Sequence, residues 1–391
     1  MIKNKTTNLG ILIIYLLTIA QVAKRTILSS ALEYTPWSYS ELLISYPDKF
    51  LRRGFIGEVI NVIDSDGILF DTVNLVLFIN FFLFILLAFA NIKISNLEPI
   101  QHFLFLISIF GIFNITTFNQ YYHRKEMFVL NLFFLITLIF RTKINTYLIL
   151  FVTSICSILM ILIHEGIAMI TIPFVVFILK SKNISKSMVR SYTVIIFISF
   201  LLVIFNSGGV AESDAIWSSL SEFDKSIITL QTNAITAMGW SLLDSFLKTT
   251  QVLIFSGSMF LWSFYLLIFA YTFIVIFDFN LKQIIEIFEK IRIFIMREKY
   301  FLVIPILFIV GFDWGRWFFS LFHLTFFTYL LMNKNNISKI KHWNLSILLF
   351  ITISSLTIMP ECCLQMDGTT VSSNYYRILK SVQLTLLDLI N

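Results

Sequence analysis

A histidine and a glutamate, His164 and Glu165, lie between two apolar stretches without charge, residues 148–163 and 167–179. An ionisable residue at the edge of a membrane span is costly there, so it usually faces a bundle interior or a water-filled cavity. Partial burial raises the pKa of a carboxyl group towards working pH, where the group can take a proton from a hydroxyl. His164 and Glu165 are therefore candidate general bases. The alternative is a solvated turn between two helices, bent at Gly166.

Arginines supply candidate anion-binding groups. Arg52 and Arg53 precede Gly54 in an otherwise apolar stretch, and Arg124 and Arg316 lie beside other apolar runs. Guanidinium groups bind phosphate oxygens with two parallel hydrogen bonds and keep their charge where the dielectric constant is low. They would stabilise the negative charge that develops on a pyrophosphate leaving group. The alternatives are contacts with lipid headgroups for Arg52 and Arg53, and an ordinary charged loop for Arg124.

Asp313 is a third candidate base, set next to two tryptophans. It lies three residues before Arg316, so a simple ion pair at a helix end is the alternative. Trp314 lies between the two residues, and Trp317 follows Arg316. Aromatic faces beside polar groups suit sugar rings and the membrane interface alike, and the interface is the commoner role.

Long apolar runs separate these candidates. The chain is 58% hydrophobic and 13% charged, whereas a soluble protein is roughly 45–50% apolar and about 25% charged. Runs of about 20 apolar residues predict transmembrane helices. We predict an all-α, polytopic integral membrane protein with about eleven transmembrane helices, within a range of about 10–12.

The distribution of charge orients the predicted helices. Lys and Arg are concentrated in alternate short connections, which is typical of cytoplasmic loops. This predicts a cytoplasmic N-terminus, two long outer loops at 24–67 and 207–250, and an outer C-terminal tail at 360–391. We predict that the whole chain, 1–391, forms one membrane domain.

All the candidate clusters fall on the predicted outer face, where Glu33 and Asp48 in the first outer loop are weaker candidates for the base. The sequence contains no GxxxxGK[ST] nucleotide loop and no zinc-type Cys/His spacing. We therefore predict no metal, no cofactor and no nucleotide-driven pump. The positive charge at cytoplasmic helix ends suits anionic membrane lipid and not nucleic acid.

In size, number of predicted spans, two long outer loops and outward-facing Arg, His and acidic clusters, the chain resembles bacterial polysaccharide polymerases of the O-antigen (Wzy) type. That family looks related in architecture to the GT-C class of lipid-dependent glycosyltransferases. The Arg-x10-Gly pattern of some Wzy members and the Asp-Asp or Glu-x-Asp signature of GT-C enzymes are absent from this sequence.

The resemblance implies an enzyme of the bacterial inner membrane with a periplasmic active face. Its substrates would be undecaprenyl-pyrophosphate-linked glycans, and a chain-length regulator would be a further partner. Arg52 and Arg53, with Arg124 and Arg316, would hold the donor pyrophosphate. His164, Glu165 or Asp313 would activate the acceptor hydroxyl, and the product would be O-antigen or capsule polysaccharide.

Two other functions stay open. A GT-C glycosyltransferase would add a single sugar from a polyprenyl-phosphate donor and would make a branch or cap. A lipid-linked glycan flippase would need charges along its spans in both halves, because its substrate passes through the middle. Charges within the predicted spans are nearly absent, which favours an enzyme.

Overall fold

The chain is described by a computed structural model in which the regular secondary structure of the described residues is helical. No strand occurs in that part of the chain, so the prediction of an all-α fold is confirmed for it. The structure describes residues 2–28, 36–46, 49–64, 69–113, 123–182, 184–228, 233–239, 247, 258–279, 283, 286, 297–310, 314–333 and 345–356.

The α-helices are numbered in chain order. They are α1 (Ile2–Ala23), α2 (Pro36–Leu42), α3 (Phe55–Ile63), α4 (Leu69–Ile94), α5 (Pro99–Ile107), α6 (Glu126–Ile139), α7 (Thr146–Ile163), α8 (Glu165–Ser181), α9 (Lys186–Phe205), α10 (Val210–Ser219), α11 (Glu222–Ile227), α12 (Ser258–Phe277), α13 (Val303–Val310), α14 (Trp314–Met332) and α15 (Leu345–Leu356). A π-helical turn, Lys24–Leu28, continues α1, and 3-10 turns lie at Thr236–Gly239 and Lys299–Leu302.

Four of the described helices are long and apolar enough to cross a bilayer: Thr7–Ile27, Leu69–Ile94, Thr146–Ile163 and Lys186–Phe205. Along the last of these helices, large apolar side chains such as Phe197 are exposed on the surface. An apolar surface of this kind suits contact with lipid tails. The chain is therefore membrane-embedded, as its composition predicts.

The first helical segment extends beyond the predicted end of the first span. The prediction starts the first outer loop at residue 24, but helical structure continues to Leu28, and the span itself runs to Ile27. Lys24 and Arg25 therefore lie on the helix. Of the other outer segments, 207–250 contains α10 and α11, and the tail 360–391 lies outside the described residues.

The chain divides into two compact units. Unit 1 comprises Met1–Thr18, Ile92–Gln120 and Leu242–Asn391, and unit 2 comprises Ile19–Asn91 and Tyr121–Ser241. Nothing in this division tests the predicted single membrane domain, which stays a prediction.

In unit 2, helices α6, α7, α8 and α9 pack on one another, and α3 packs on α7. Polar side chains join α4 to α6: Asn131 donates to Oδ1 of Asn80 at 2.7 Å, and Thr137 donates to Oδ1 of Asn91 at 2.8 Å. Hydrogen bonds between helices are one of the forces that hold membrane bundles together, because lipid offers no competing partner. They fix the register of the helices that carry the candidate site.

In unit 1, α5, α12, α14 and α15 pack around aromatic side chains. Phe105 stacks on Phe326 with ring centroids 4.3 Å apart, and Phe110 stacks on Phe322 at 5.1 Å. Aromatic pairs of this geometry add to the energy of apolar packing. The core of unit 1 is thus built from phenylalanine, whereas unit 2 buries a group of charged residues.

Candidate functional site

Two adjacent arginines form the turn that leads into α3. Arg53 adopts a φ of 63°, in the left-handed region that residues with a side chain rarely use. The amide of Arg52 donates to the carbonyl oxygen of Asn206 at 2.9 Å, which ties the turn to the end of α9. Gly54 follows because a Cβ there would lie 2.3 Å from the ring of Tyr46. This part of the segment 24–67 is therefore closely constrained.

The guanidinium of Arg53 binds the carboxylate of Glu165. Its Nε lies 3.0 Å from both carboxylate oxygens, and a terminal nitrogen lies 2.8 Å from Oε1. A contact of two parallel hydrogen bonds is the strongest arrangement that these two groups form. The structure thus joins two of the predicted clusters, Arg52-Arg53 and His164-Glu165.

Arg52 is held much less firmly. A terminal nitrogen of its guanidinium is 4.0 Å from Oε1 of Glu165, and the buried Nε has no hydrogen-bond partner in the described part of the chain. The side chain remains 29% exposed. A guanidinium carries five N–H donors, so Arg52 can still bind an anion in the arrangement seen here.

His164 separates α7 from α8 and caps the second of them. Its backbone is extended, with φ −160° and ψ 98°, and its Nδ1 accepts a hydrogen bond from the amide of Ile167 at 3.5 Å. An Nδ1 that accepts leaves the proton of a neutral imidazole on Nε2. That nitrogen lies 3.6 Å from Oε1 of Glu41.

Glu41 is a functional candidate that sequence reasoning missed. It lies on α2, it is buried, and its Oε2 contacts Arg124 at 3.4 Å. The glutamate therefore connects the predicted Arg124 cluster to His164. A signal was present in the sequence, because Glu41 is the one charge in the segment 36–47. A charge in such a stretch stays buried only if it is paired.

Lys125 is a further buried charge of this cluster, and it contacts the turn formed by Arg52 and Arg53. It is fully buried, and its Nζ donates to the carbonyl oxygen of Arg53 at 2.5 Å. Burial lowers the pKa of Lys125 to about 8, against the opposing effect of the Glu41 charge. An ordinary charged loop was the alternative for Arg124, whereas Arg124 and its neighbour Lys125 are both buried among other charges.

The charges around Glu165 make it a weak base. Burial alone would raise the pKa of Glu165, but the surrounding charges, of which that of Arg53 has the largest effect, together outweigh burial and hold the pKa well below its usual range. A carboxylate that stays ionised and has both oxygens on Arg53 has little tendency to take a proton. The geometry therefore fits Glu165 better to positioning Arg53 than to accepting a proton.

The segment 207–250 contacts the helix that carries Glu41. The hydroxyl of Tyr39 donates to Oδ1 of Asp224 at 2.6 Å, and Ser221 donates to Oδ2 at 2.5 Å. The amide of Ala234 donates to the hydroxyl of Ser40 at 2.9 Å. The buried carboxylate of Asp224 and the amide of Ala234 therefore hold α2 in place.

The remaining residues that the sequence predicted as site residues are not described as part of this cluster. Arg316 is buried in the first turn of α14, within unit 1, next to Trp317. Asp313, Glu33 and Asp48 lie outside the described residues.

Among the residues that the structure describes, no three His, Cys, Asp or Glu side chains meet in a way that would hold a metal ion. The absence of a metal and of a cofactor stays a prediction. Comparisons with known proteins add no assignment: no family model, no curated protein and no solved structure matches the chain.

Proposed function

We propose that this chain is a glycosyltransferase that polymerises undecaprenyl-pyrophosphate-linked oligosaccharide repeats into O-antigen or capsule polysaccharide. The reaction would take place at the outer face of the bacterial inner membrane. The proposal includes the finer topology: about eleven spans, a cytoplasmic N-terminus and a periplasmic site.

One observation carries the proposal. Arg52, with unused donors, lies beside Arg53, whose position is fixed by Glu165 and Lys125. A leaving pyrophosphate gains negative charge as the glycosidic bond breaks, and preorganised cations stabilise that charge most when they need not move. Arg52 and Arg53 would supply this stabilisation, because both side chains are partly exposed and can reach a bound anion.

The acid–base step falls to the pair of His164 and Glu41. The hydroxyl of the acceptor sugar would give its proton to the carboxylate of Glu41 as its oxygen bonds to the anomeric carbon of the donor, because Nδ1 of His164 already accepts a hydrogen bond and its Nε2 already carries a proton. The bond between that carbon and the pyrophosphate oxygen breaks, and undecaprenyl pyrophosphate leaves as an anion held by Arg52.

One observation also supports the GT-C alternative. Glu41 is an acidic residue of the first outer loop, and it contacts His164 and Arg124. The resemblance to GT-C enzymes implies an acidic residue at such a place. A transferase that adds one sugar would use the same cluster and would differ in its product.

The product formed in cells separates these functions. In a host deleted for the gene, a surface-polysaccharide gel should lose its ladder and keep a single repeat. A normal ladder of shifted mobility would indicate a transferase that adds a branch. Loss of all surface repeats, with lipid-linked units accumulating inside, would indicate a flippase and would end the polymerase proposal.

Complementation then tests the site. We expect Arg52→Ala to leave the single-repeat pattern, whereas Lys49→Ala should restore the ladder. Lys49 is a suitable control because it is a cation of the same segment that pairs with Glu212, and Glu212 takes part in none of the contacts described for the cluster. A full ladder from Arg52→Ala, at equal protein abundance in the membrane, would contradict the proposed anion site.

A further inference from the structure

Lys125 has a buried, specific contact that the proposed mechanism does not use. We infer that Lys125 is a positioning residue that holds the Arg52–Arg53 turn in its anion-binding conformation. This inference rests on the proposed function, since it concerns the same anion site. It assigns Lys125 no contact with the substrate.

The first support is the geometry of the contact. The Nζ of Lys125 lies 2.5 Å from the carbonyl oxygen of Arg53, and the lysine is fully buried. A hydrogen bond from an ammonium group is shorter and stronger than one between neutral groups. The lysine reaches the turn from the segment before α6, 72 positions along the chain.

The second support is the backbone that this contact holds. Arg53 keeps a φ of 63° although it is not a glycine. Such a conformation persists only where the surrounding structure imposes it, and it occurs most often at functional sites. The turn has three anchors: the amide of Arg52 on Asn206, the guanidinium of Arg53 on Glu165, and the carbonyl of Arg53 on Lys125.

The three anchors act on different groups. The contact with Glu165 engages the side chain of Arg53, and the contact with Asn206 engages the backbone before it. Of these three, the bond from Lys125 is the one that fixes the carbonyl of the strained residue itself. If it is lost, Arg53 can relax towards ordinary backbone angles, and Arg52 then loses its place beside Glu165.

The charge on Lys125 gives the contact a pH dependence. Burial lowers the pKa of Lys125 to about 8. The charges that face its ammonium are those of Glu41, Arg53, Glu165 and Glu126. Below pH 8 the group is charged and its bond to the carbonyl is strong, and as pH rises through 8 the charge and part of the bond are lost.

Binding of inorganic pyrophosphate to the purified full-length protein in lipid nanodiscs tests the inference. We expect Lys125→Met to weaken binding at least tenfold, as Arg52→Ala should, while Lys49→Met leaves it unchanged. A melting curve of each variant, without pyrophosphate, reports whether it is folded. A folded Lys125→Met protein that binds as tightly as wild type would overturn the inference and leave the proposed function standing.

Wild-type protein supplies a second test that needs no folded variant. Inorganic sulfate is the probe, because its charge is constant between pH 7 and pH 9.5. We expect its affinity to fall severalfold across that range, with a midpoint near pH 8. A flat profile would overturn the role of Lys125, and no binding of pyrophosphate or sulfate at any pH would overturn the proposed anion site as well.

Discussion

Arg53 and Glu165 meet through two hydrogen bonds of 3.0 Å, although 112 positions separate them in the chain. The contact joins the segment 24–67 to the break between α7 and α8. It also helps to keep Glu165 ionised: burial raises the pKa of this carboxyl group, and the charge of Arg53, together with the other charges nearby, lowers the pKa by more than burial raises it. The two residues form one unit, and they should behave as one when they are changed.

A double-mutant cycle tests this coupling. We expect Glu165→Gln and Arg53→Gln each to shorten the polysaccharide ladder strongly, because either change releases the partner. The double variant should be no worse than the more severe single variant, since residues that act through one contact are not additive. Ladder length at equal protein abundance is the measurement, and additive losses would show that the residues act separately.

Glu41 should be the acidic residue of the segment 24–67 that is most sensitive to substitution. Glu41→Gln keeps the shape but removes the charge that Arg124 and His164 face. Breaking a buried ion pair costs about 3–5 kcal/mol, because the other charge is left without compensation. We expect loss of the ladder and a clearly lower melting temperature in detergent.

Glu222→Gln is the matched control for Glu41. Glu222 also pairs with a cation, Lys225 at 3.0 Å, but its side chain is 92% exposed. Exposed pairs contribute about 0–1 kcal/mol, so this variant should keep both the ladder and the wild-type melting temperature. Equal effects of the two substitutions would mean that Glu41 is not part of the site.

Much of the fold follows from local sequence. Apolar runs predict the long helices, because an α-helix needs about 20 apolar residues to cross a bilayer. The candidate clusters Arg52-Arg53, Arg124 and His164-Glu165 were also visible as charges between such runs. The structure brings these three together within unit 2.

What the sequence could not supply is the pairing over long distances. Glu41 and Arg124 are 83 positions apart, and nothing near either residue indicates the other. The backbone conformation of the turn at Arg52 and Arg53 could not be predicted from the sequence either. An Arg-Gly sequence suggests that the glycine takes the positive φ, but Arg53 takes it, and Gly54 is needed for its close approach to Tyr46.

A glycine in α3 should be essential for placing the arginine turn. A Cβ at Gly57 would lie 2.0 Å from the carbonyl oxygen of Ile44, which is backbone and cannot move aside easily. We therefore expect Gly57→Ala to lower the yield of folded protein sharply. Gly10→Ala is the control, since its Cβ would meet Phe103 at an ordinary 3.8 Å. Membrane-fraction yield and monodispersity in detergent measure both, and equal yields would contradict the close packing of α3.

The contact of Tyr39 with Asp224 should stabilise the helix that carries Glu41. Tyr39→Phe removes a hydroxyl that donates at 2.6 Å to a fully buried carboxylate. A hydrogen bond to a charged group contributes about 1.5–3 kcal/mol, so the melting temperature should fall by several degrees. Tyr147→Phe, at a tyrosine that is 70% exposed, should leave it unchanged.

Activity should fall in Tyr39→Phe as well, because α2 carries both Tyr39 and Glu41. A shift of α2 changes the distance between Glu41 and His164, now 3.6 Å, and proton transfer depends steeply on such distances. The ladder should shorten without disappearing, since the bond of Ser221 to Asp224 remains. If the melting temperature falls while the ladder keeps its full length, the second outer loop supports the fold and has no part in positioning Glu41.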